Sequence, residues 1–280
     1  MDYKSFSFVT AIHLLQAVAL AATPMRCLSE TRAIVFASNY AAVDDQDLHL
    51  SNALQDGAKI VEALQRAGLK DVQLIEEATE FQWEQQLKAF IGKLSKSDTA
   101  LFYYAGHGIQ AGGLNYFVTS DGYKLILADQ VLKDLSDHAA ATIMIVDACR
   151  ANPYAHEAEN RLTVAPTAAD KSREIKVIAL DEALKKTVGL AQIGNLRGMS
   201  AVVYFSTEPG NVAVDGAPGA GSPFANAFAE EVVRRETLDH LFRRVTTRVN
   251  QRTDGKQSPW RQGDLPADFF LAGMANFPVP

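Results

Sequence analysis

Two stretches decide the fold: TALFYYAGHG at residues 99–108 and TIMIVDACR at residues 142–150. Each begins as a short apolar run rich in β-branched or aromatic residues, with polar sequence before it and a loop signal behind it. That combination predicts buried strands of a parallel sheet. In an open α/β sheet, reacting groups gather beyond the carboxyl ends of the strands. Gly106-His107-Gly108 and Asp147-Ala148-Cys149 fall at just those ends. An imidazole and a thiol brought together from two strands make an activated nucleophile. A cysteine closing an apolar strand is ordinarily a small core residue. The pairing argues for more: glycines on both sides of His107 permit a sharp turn and leave room for a substrate. Arg150 and Asn152-Pro153 open a loop immediately after Cys149.

Outward from these two strands the chain alternates strand and helix. Arg32 to Ser38 predicts a first strand. Leu50 to Ala67 predicts a helix with Leu54, Ala58, Val61 and Leu64 on its apolar face and Gly68 as its stop. Val72 to Ile75 is a second strand. Thr79 to Leu94 is a second helix, opened by a Thr79–Gln82 capping box and lined by Trp83, Leu87, Phe90 and Leu94. Leu114 to Thr119, with Gly112-Gly113, reads as part of a hairpin, and Leu127 to Leu135 as a third helix. Residues 154–198 are polar and basic, with little periodicity except around Val177 to Leu184, the pattern of an exposed linker. Met199 to Ser206 is another strand, followed by helices at Phe224 to Arg235 and Leu238 to Arg252, and Asp268 to Leu271 closes as a short strand. The rhythm predicts an α/β fold with right-handed crossovers and helices on both faces.

At 280 residues and 48% hydrophobic content the chain can bury one large α/β core. Its formal charge of -6 supplies no basic footprint for nucleic acid. Two distant cysteines make no disulfide framework. The apolar stretch from Phe6 to Ala22 ends in small residues, as a cleaved secretory signal does, and is short for a membrane span. Export to the periplasm or the medium is therefore the expectation, with a cytoplasmic location if the leader stays uncleaved. Cys27 lacks the small-residue run that precedes a lipid-anchored cysteine.

The motifs YYAGHG (103–108), VDACRANP (146–153), STEPGNVAVDG (206–216), SPF (222–224), KQSPW (256–260) and DFF (268–270) together resemble the caspase-like cysteine peptidases of prokaryotes, the orthocaspases related to metacaspases. The likeness spans about Arg32 to Leu271, in the same motif order. It implies a caspase-hemoglobinase fold with a mainly parallel six-stranded sheet. The implied division is a leader at 1–22, an extension at 23–31, a large catalytic region at 32–153, a linker or processing segment at 154–198, a small-subunit-like region at 199–273 and a tail at 274–280. It further implies peptide-bond hydrolysis, with Cys149 as nucleophile and His107 as its acid–base partner. The backbone N–H groups of Gly108 and Cys149 would form the oxyanion hole. A free thiol titrates near about 8.5, so a neighbouring imidazolium is expected to populate the thiolate. That chemistry requires no cofactor. Calcium dependence occurs among metacaspases, but no ligand set matches here residue by residue.

Substrate class turns on Asp147. Side chains alternate along a strand, so Asp147 and Cys149 point to one side. A carboxylate in a partly desolvated pocket needs a cation, which Arg or Lys before the scissile bond would supply. The resemblance agrees, since metacaspases and orthocaspases cut after basic residues. It also matches Asp56 to their second acidic pocket residue. Without a pocket, Asp147 would be a carboxylate bound to loop backbone and Asp56 a solvated helix residue. Ala105 stands where many metacaspases carry a serine, which leaves Arg-over-Lys preference open. Asp215 sits in a motif that matches the family, and its loop context reads as a turn first and a site residue second. Arg161, Lys171, Arg173, Lys176, Lys185, Lys186 and Arg197 are candidate self-cleavage points. Partners are thus peptides or proteins with Arg or Lys before the cut, and the oligomeric state is undetermined. Two other readings use the same residues: a catalytically silent interaction scaffold, and a cysteine hydrolase of non-peptide amides or esters.

Overall fold

The computed structural model describes residues 29–111, 114–122, 124–148, 177–179, 187–188, 190, 192–194, 196–209, 211 and 213–272. The leader, Cys27, Cys149 and the loop after it, the C-terminal tail and most of the basic linker lie outside the described residues. So do its candidate cleavage points, except Arg197, which is exposed.

A six-stranded sheet forms the centre. Its strands in chain order are β1 (Thr31–Ala37), β2 (Asp71–Glu76), β3 (Thr99–Gly106), β7 (Ala141–Ala148), β10 (Ala201–Phe205) and β11 (Trp260–Asp264). They lie side by side in the order β11-β10-β7-β3-β1-β2, with only β11 antiparallel to its neighbour. Alternation along each strand divides the core in two. Ala33, Val35, Leu101, Tyr103, Ile143 and Ile145 face one layer, while Ile34, Phe36, Phe102, Tyr104, Met144 and Val146 face the other. The first layer is covered by α1 (Ala53–Ala67), α4 (Pro223–Glu231) and α5 (Leu238–Arg252). The second is covered by α2 (Glu80–Ile91) and α3 (Ala128–Ser136). The α/β architecture with helices on both faces follows from the sequence as expected. Strand order reverses at β1, because β2 lies to one side of it and β3 to the other. That switch point opens a crevice at the carboxyl ends of β1 and β3.

A smaller antiparallel sheet flanks this crevice. It is built from β4 (Gly108–Ala111), β5 (Leu114–Val118), β6 (Lys124–Leu127), β8 (Val177–Ala179) and β9 (Thr187–Val188), in the order β8-β6-β5-β4-β9. The sequence revealed only the β5 hairpin arm. Two of these strands come from the 154–198 segment read as linker, and Leu190 and Ile193 from the same segment are buried in the main core. Strands of two or three residues carry too little periodicity to stand out from a loop.

Two expectations need correction. Of Leu54, Ala58, Val61 and Leu64, expected on the buried face of α1, Leu64 is buried and Leu54 and Val61 pack half-buried against the core, while Ala58 departs. Ala53, Asp56, Gly57, Ile60, Ala63, Leu64 and Ala67 are the buried positions, and Ala58 is exposed. Close approach contributes: a Cβ on Gly57 would meet the Ala37 Cβ at 2.7 Å, so the helix turns its glycine toward β1. The rotation turns Asp56 inward. The closing strand is also not at 268–271. It is β11, and Phe270 makes only an isolated bridge to Thr237. An exposed edge strand such as WRQGD has no need of apolar alternation, so none marked it.

The α4–α5 contact buries one carboxylate. Glu231 is 1% exposed and is met by the guanidinium groups of Arg234 (2.6 Å), Arg248 and Arg244 (4.0 Å). Removing its charge leaves three arginines facing a buried amide, but they reach solvent and can rehydrate. Glu231→Gln is therefore expected to cost about 2 kcal/mol, below the usual value for a broken buried pair. It should lower the melting temperature by about 6 °C. An unchanged thermal melt would show the network to be energetically idle.

Candidate active site

The crevice at the switch point holds His107. β3 ends at Gly106 and β4 starts at Gly108, so His107 sits in the break between the large and small sheets. A Cβ on Gly106 would come within 2.8 Å of the hydroxyls of both Tyr104 and Tyr40, so no larger residue fits before the histidine. The ring is 4% exposed. Its Nε2 lies 2.7 Å from the Leu48 carbonyl oxygen. A carbonyl only accepts, so Nε2 carries the proton and Nδ1 presents a lone pair. Nδ1 is buried and has no hydrogen-bond partner among the described residues. Burial lowers the His107 pKa to about 4, only partly offset by the bond to Leu48. The resting imidazole is thus neutral at pH 7, where an imidazolium had been expected. The paired strands β3 and β7 set Ala105 beside Asp147 and Gly106 beside Ala148. Gly108 stands opposite Phe117, next to the bond from Val118 N–H to the His107 carbonyl (3.1 Å). That ladder position directs the Gly108 N–H away from β5.

Beside His107 lies a narrow cavity of about 30 Å³, enough for little more than a water or two when empty. Asp56 of α1, Asp147 of β7, Asp215 and Ser222 of the segment before α4, and Ala105 of β3 all line it. Asp147 Oδ2 accepts from Ser222 Oγ (2.7 Å) and Tyr103 OH (3.2 Å), so its partners are side chains and not loop backbone. Asp56 is 1% exposed, not a solvated helix residue. Its Oδ2 accepts from the Ser222 N–H (2.9 Å), and its Oδ1 lies 3.6 Å from Lys59 Nζ. Asp215 Oδ2 accepts from the Ser51 N–H (2.8 Å). Ser222 therefore ties two carboxylates together, one through its backbone and one through its hydroxyl, while also capping α4.

Three acids with one lysine near them make a costly pocket. Burial raises Asp147 to about 7, repulsion from Asp56 adds to it, and the hydrogen bonds from Ser222 and Tyr103 oppose it. Burial also raises Asp56, against the pull of the Ser222 N–H and Lys59, and raises Asp215 against the Ser51 N–H. Among the described residues no group of three or more His, Cys, Asp or Glu side chains is placed to hold a metal ion, so no calcium site is assigned.

Asp215, which reads first as a turn and second as a site residue, completes the acidic lining. Asn52 and Ser222 were not singled out by sequence. Asn52 precedes α1 as an N-cap would, but its side chain makes no cap bond. Instead its amide donates to the carbonyls of Asp215 (2.7 Å) and Ala217 (3.0 Å) and accepts from the Gly219 N–H (2.8 Å). It thereby fastens the Asp215 loop to the start of α1. Only an asparagine before a helix shows in the sequence, since the partners that bury it lie more than 160 positions away. Ala105 supplies no hydroxyl to the pocket; Ser222, from a distant segment, does.

No curated protein matches the sequence. Solved structures do match in fold. Caspase-1 from Spodoptera frugiperda superposes with a TM-score of 0.59 at 15% identity, over 87% of this chain and 90% of that one. The protein GSU0716 from Geobacter sulfurreducens gives 0.57 at 16% identity, over 85% and 95%. At such identities the likeness speaks for the fold. The sequence itself matches the model of the caspase domain, Peptidase C14, across residues 30–270, which takes in every strand of the central sheet and all the pocket residues above. The chain belongs to the caspase-domain family of peptidases.

Proposed function

We propose that the protein is a cysteine endopeptidase that cuts after Arg or Lys, with Cys149 and His107 as its catalytic pair. The observation that carries the specificity is the convergence of two buried carboxylates, Asp56 and Asp147, and the half-buried Asp215 on one narrow cavity with Lys59 as the neighbouring cation. Buried charge of one sign requires a counter-ion, and a substrate guanidinium or ammonium entering between Asp56 and Asp147 supplies it.

Cys149 follows Ala148 by one peptide bond, at the end of the strand whose register is level with Gly106. In the reaction the thiol gives its proton to His107 Nδ1 as sulfur bonds to the scissile carbonyl carbon. Leu48 holds the proton on Nε2, so the ring arrives in the tautomer that can accept at Nδ1. The carbonyl π electrons move to oxygen, which the N–H groups of Gly108 and Cys149 stabilise. Collapse breaks the C–N bond, and the amine leaves with the proton from Nδ1. Water then attacks the thioester, giving one proton back to Nδ1, and the acid departs as the thiol re-forms. His107 is thus a general base with a low resting pKa, and the imidazolium exists only between the two proton transfers.

A panel of fluorogenic peptides differing only at the residue before the reporter tests the reading. Turnover is expected with Arg or Lys there and at least about 100-fold less with Asp, Gln or Leu, since a buried acid left unpaired costs several kcal/mol. Equal turnover of Arg and Leu peptides would refute the pocket assignment. Silence on every peptide by a folded protein would favour the scaffold, and turnover of simple amides or esters alone the small-molecule hydrolase.

A further inference from the structure

We infer that Tyr40 is a positioning residue for His107, acting through a closed circuit of tyrosine hydroxyls around the histidine's own peptide groups. This rests on the peptidase reading only for its kinetic consequence.

His107 interrupts two strands, so its N–H takes no part in the sheet ladders. The His107 N–H donates instead to Tyr40 OH (2.8 Å). Tyr40 OH and Tyr104 OH are 2.8 Å apart, and Tyr104 OH donates to the His107 carbonyl (2.7 Å). Each hydroxyl has one proton. The Val118 carbonyl lies farther off, 3.2 Å from Tyr40 OH and 3.1 Å from Tyr104 OH. With the shorter contacts taken, Tyr104 spends its proton on the His107 carbonyl, Tyr40 gives its own to Tyr104, and the circuit runs from His107 N–H through both phenols back to His107 C=O. All three residues are buried. The Tyr40 ring also lies against the imidazole, with ring centres 4.6 Å apart and planes at 31°. One side chain thereby fixes both the backbone and the ring plane of the histidine.

The backbone of Tyr40 adopts φ 60°, in the left-handed region that an aromatic residue rarely enters. Such conformations persist where the surroundings over-determine them, and they concentrate at working sites. Here the surroundings are dense. Ser38 N–H donates to Ala105 O (3.0 Å), Leu50 N–H to Asn39 O (2.9 Å), Leu54 N–H to Asn39 Oδ1 (3.0 Å) and Asn39 N–H to Glu77 Oε1 (3.0 Å). The same loop then runs on to Leu48, whose carbonyl holds Nε2. His107 is therefore gripped at two points by the segment between β1 and α1. Ser51 and Asn52, at the end of that segment, also fasten the Asp215 loop.

Tyr40→Phe keeps the ring and opens the circuit; Tyr104→Phe opens it from the other side. Each variant is expected to lower kcat about 10- to 100-fold, the scale of a misplaced catalytic group, with KM for an Arg peptide unchanged. The double variant should be no slower than the worse single one. A second readout needs no turnover. The ring signals of His107, assigned with His107→Gln, should stay flat from pH 5 to 8 in the parent and titrate within that window once the ring is released to water. Unchanged kcat and unchanged titration would overturn the proposal. So would a loss of activity that only follows a loss of folded protein while the ring stays flat. If the parent cuts no peptide yet its ring is released by Tyr40→Phe, the positioning role stands and the peptidase reading fails.

Discussion

Cys149→Ala is expected to lower cleavage of an Arg peptide by at least about 10⁴-fold, the scale on which covalent hydrolases respond to loss of the nucleophile. The residual rate would come from binding and from whatever the Gly108 N–H contributes, neither of which forms a bond to the carbonyl carbon. The melting temperature should stay within a few degrees, because trading a thiol for a hydrogen removes a single heavy atom. On the proposed mechanism sulfur is required because the base is weak. With His107 near 4, the resting base is a poor proton acceptor, and a serine hydroxyl, far less acidic than a thiol, would seldom yield its proton to it. Cys149→Ser should therefore be nearly as inactive as Cys149→Ala. The same variant tests self-processing. Intact mass spectrometry should find the parent cut after one or more basic residues of the 154–198 segment and the variant whole. Identical intact chains would rule self-processing out, and a Cys149→Ala protein within tenfold of the parent rate would remove Cys149 from the mechanism.

How much of this could be read from the chain follows from burial. β3 and β7 are continuous apolar runs because both of their faces are covered, so they stood out at once. The histidine and cysteine triplets at their ends were legible for the same reason. Asp147 was legible through strand alternation, which places it on the layer of Tyr103 and α1. What escaped was set by tertiary contact. The resemblance pointed to Asp56, but its inward face did not show in the periodicity: Gly57 lets α1 come close to β1, and a periodicity count weighs leucine above glycine. Asp215 lies in a loop whose shape is imposed by Asn52, more than 160 positions away. Tyr40 carries no signal beyond an aromatic after a strand, since its role is defined by a hydroxyl meeting a backbone N–H across the crevice. Short-range pattern finds elements and their ends. It does not find residues whose partners come from elsewhere.

Asp147→Asn is expected to lower kcat/KM for an Arg peptide about 10²- to 10³-fold, the cost of withdrawing one charge from a desolvated pair, with a neutral peptide hardly affected. The amide is nearly isosteric, and its oxygen can still accept from Ser222, so the pocket keeps its shape. The pH dependence supplies an independent check. Asp147 titrates near 7 in the empty pocket. Below that pH the carboxyl is protonated and a guanidinium must expel the proton to pair with it; above it the charge is already in place. Cleavage after Arg should thus rise with pH through about 7, by up to tenfold per unit on the acid side, and Asp147→Asn should lack that limb. Stability runs the opposite way. A carboxyl whose folded pKa is raised contributes stability that is complete below its unfolded value near 4 and is lost as pH rises through about 7. The parent should therefore soften between those values. Asp147→Asn, uncharged throughout, should melt higher than the parent at pH 8 while cutting Arg peptides far more slowly. A binding pocket held at the expense of stability behaves in that way. A variant that melts lower, or that keeps the acid limb on Arg peptides, would show that Asp147 is not the carboxylate that receives the substrate's charge.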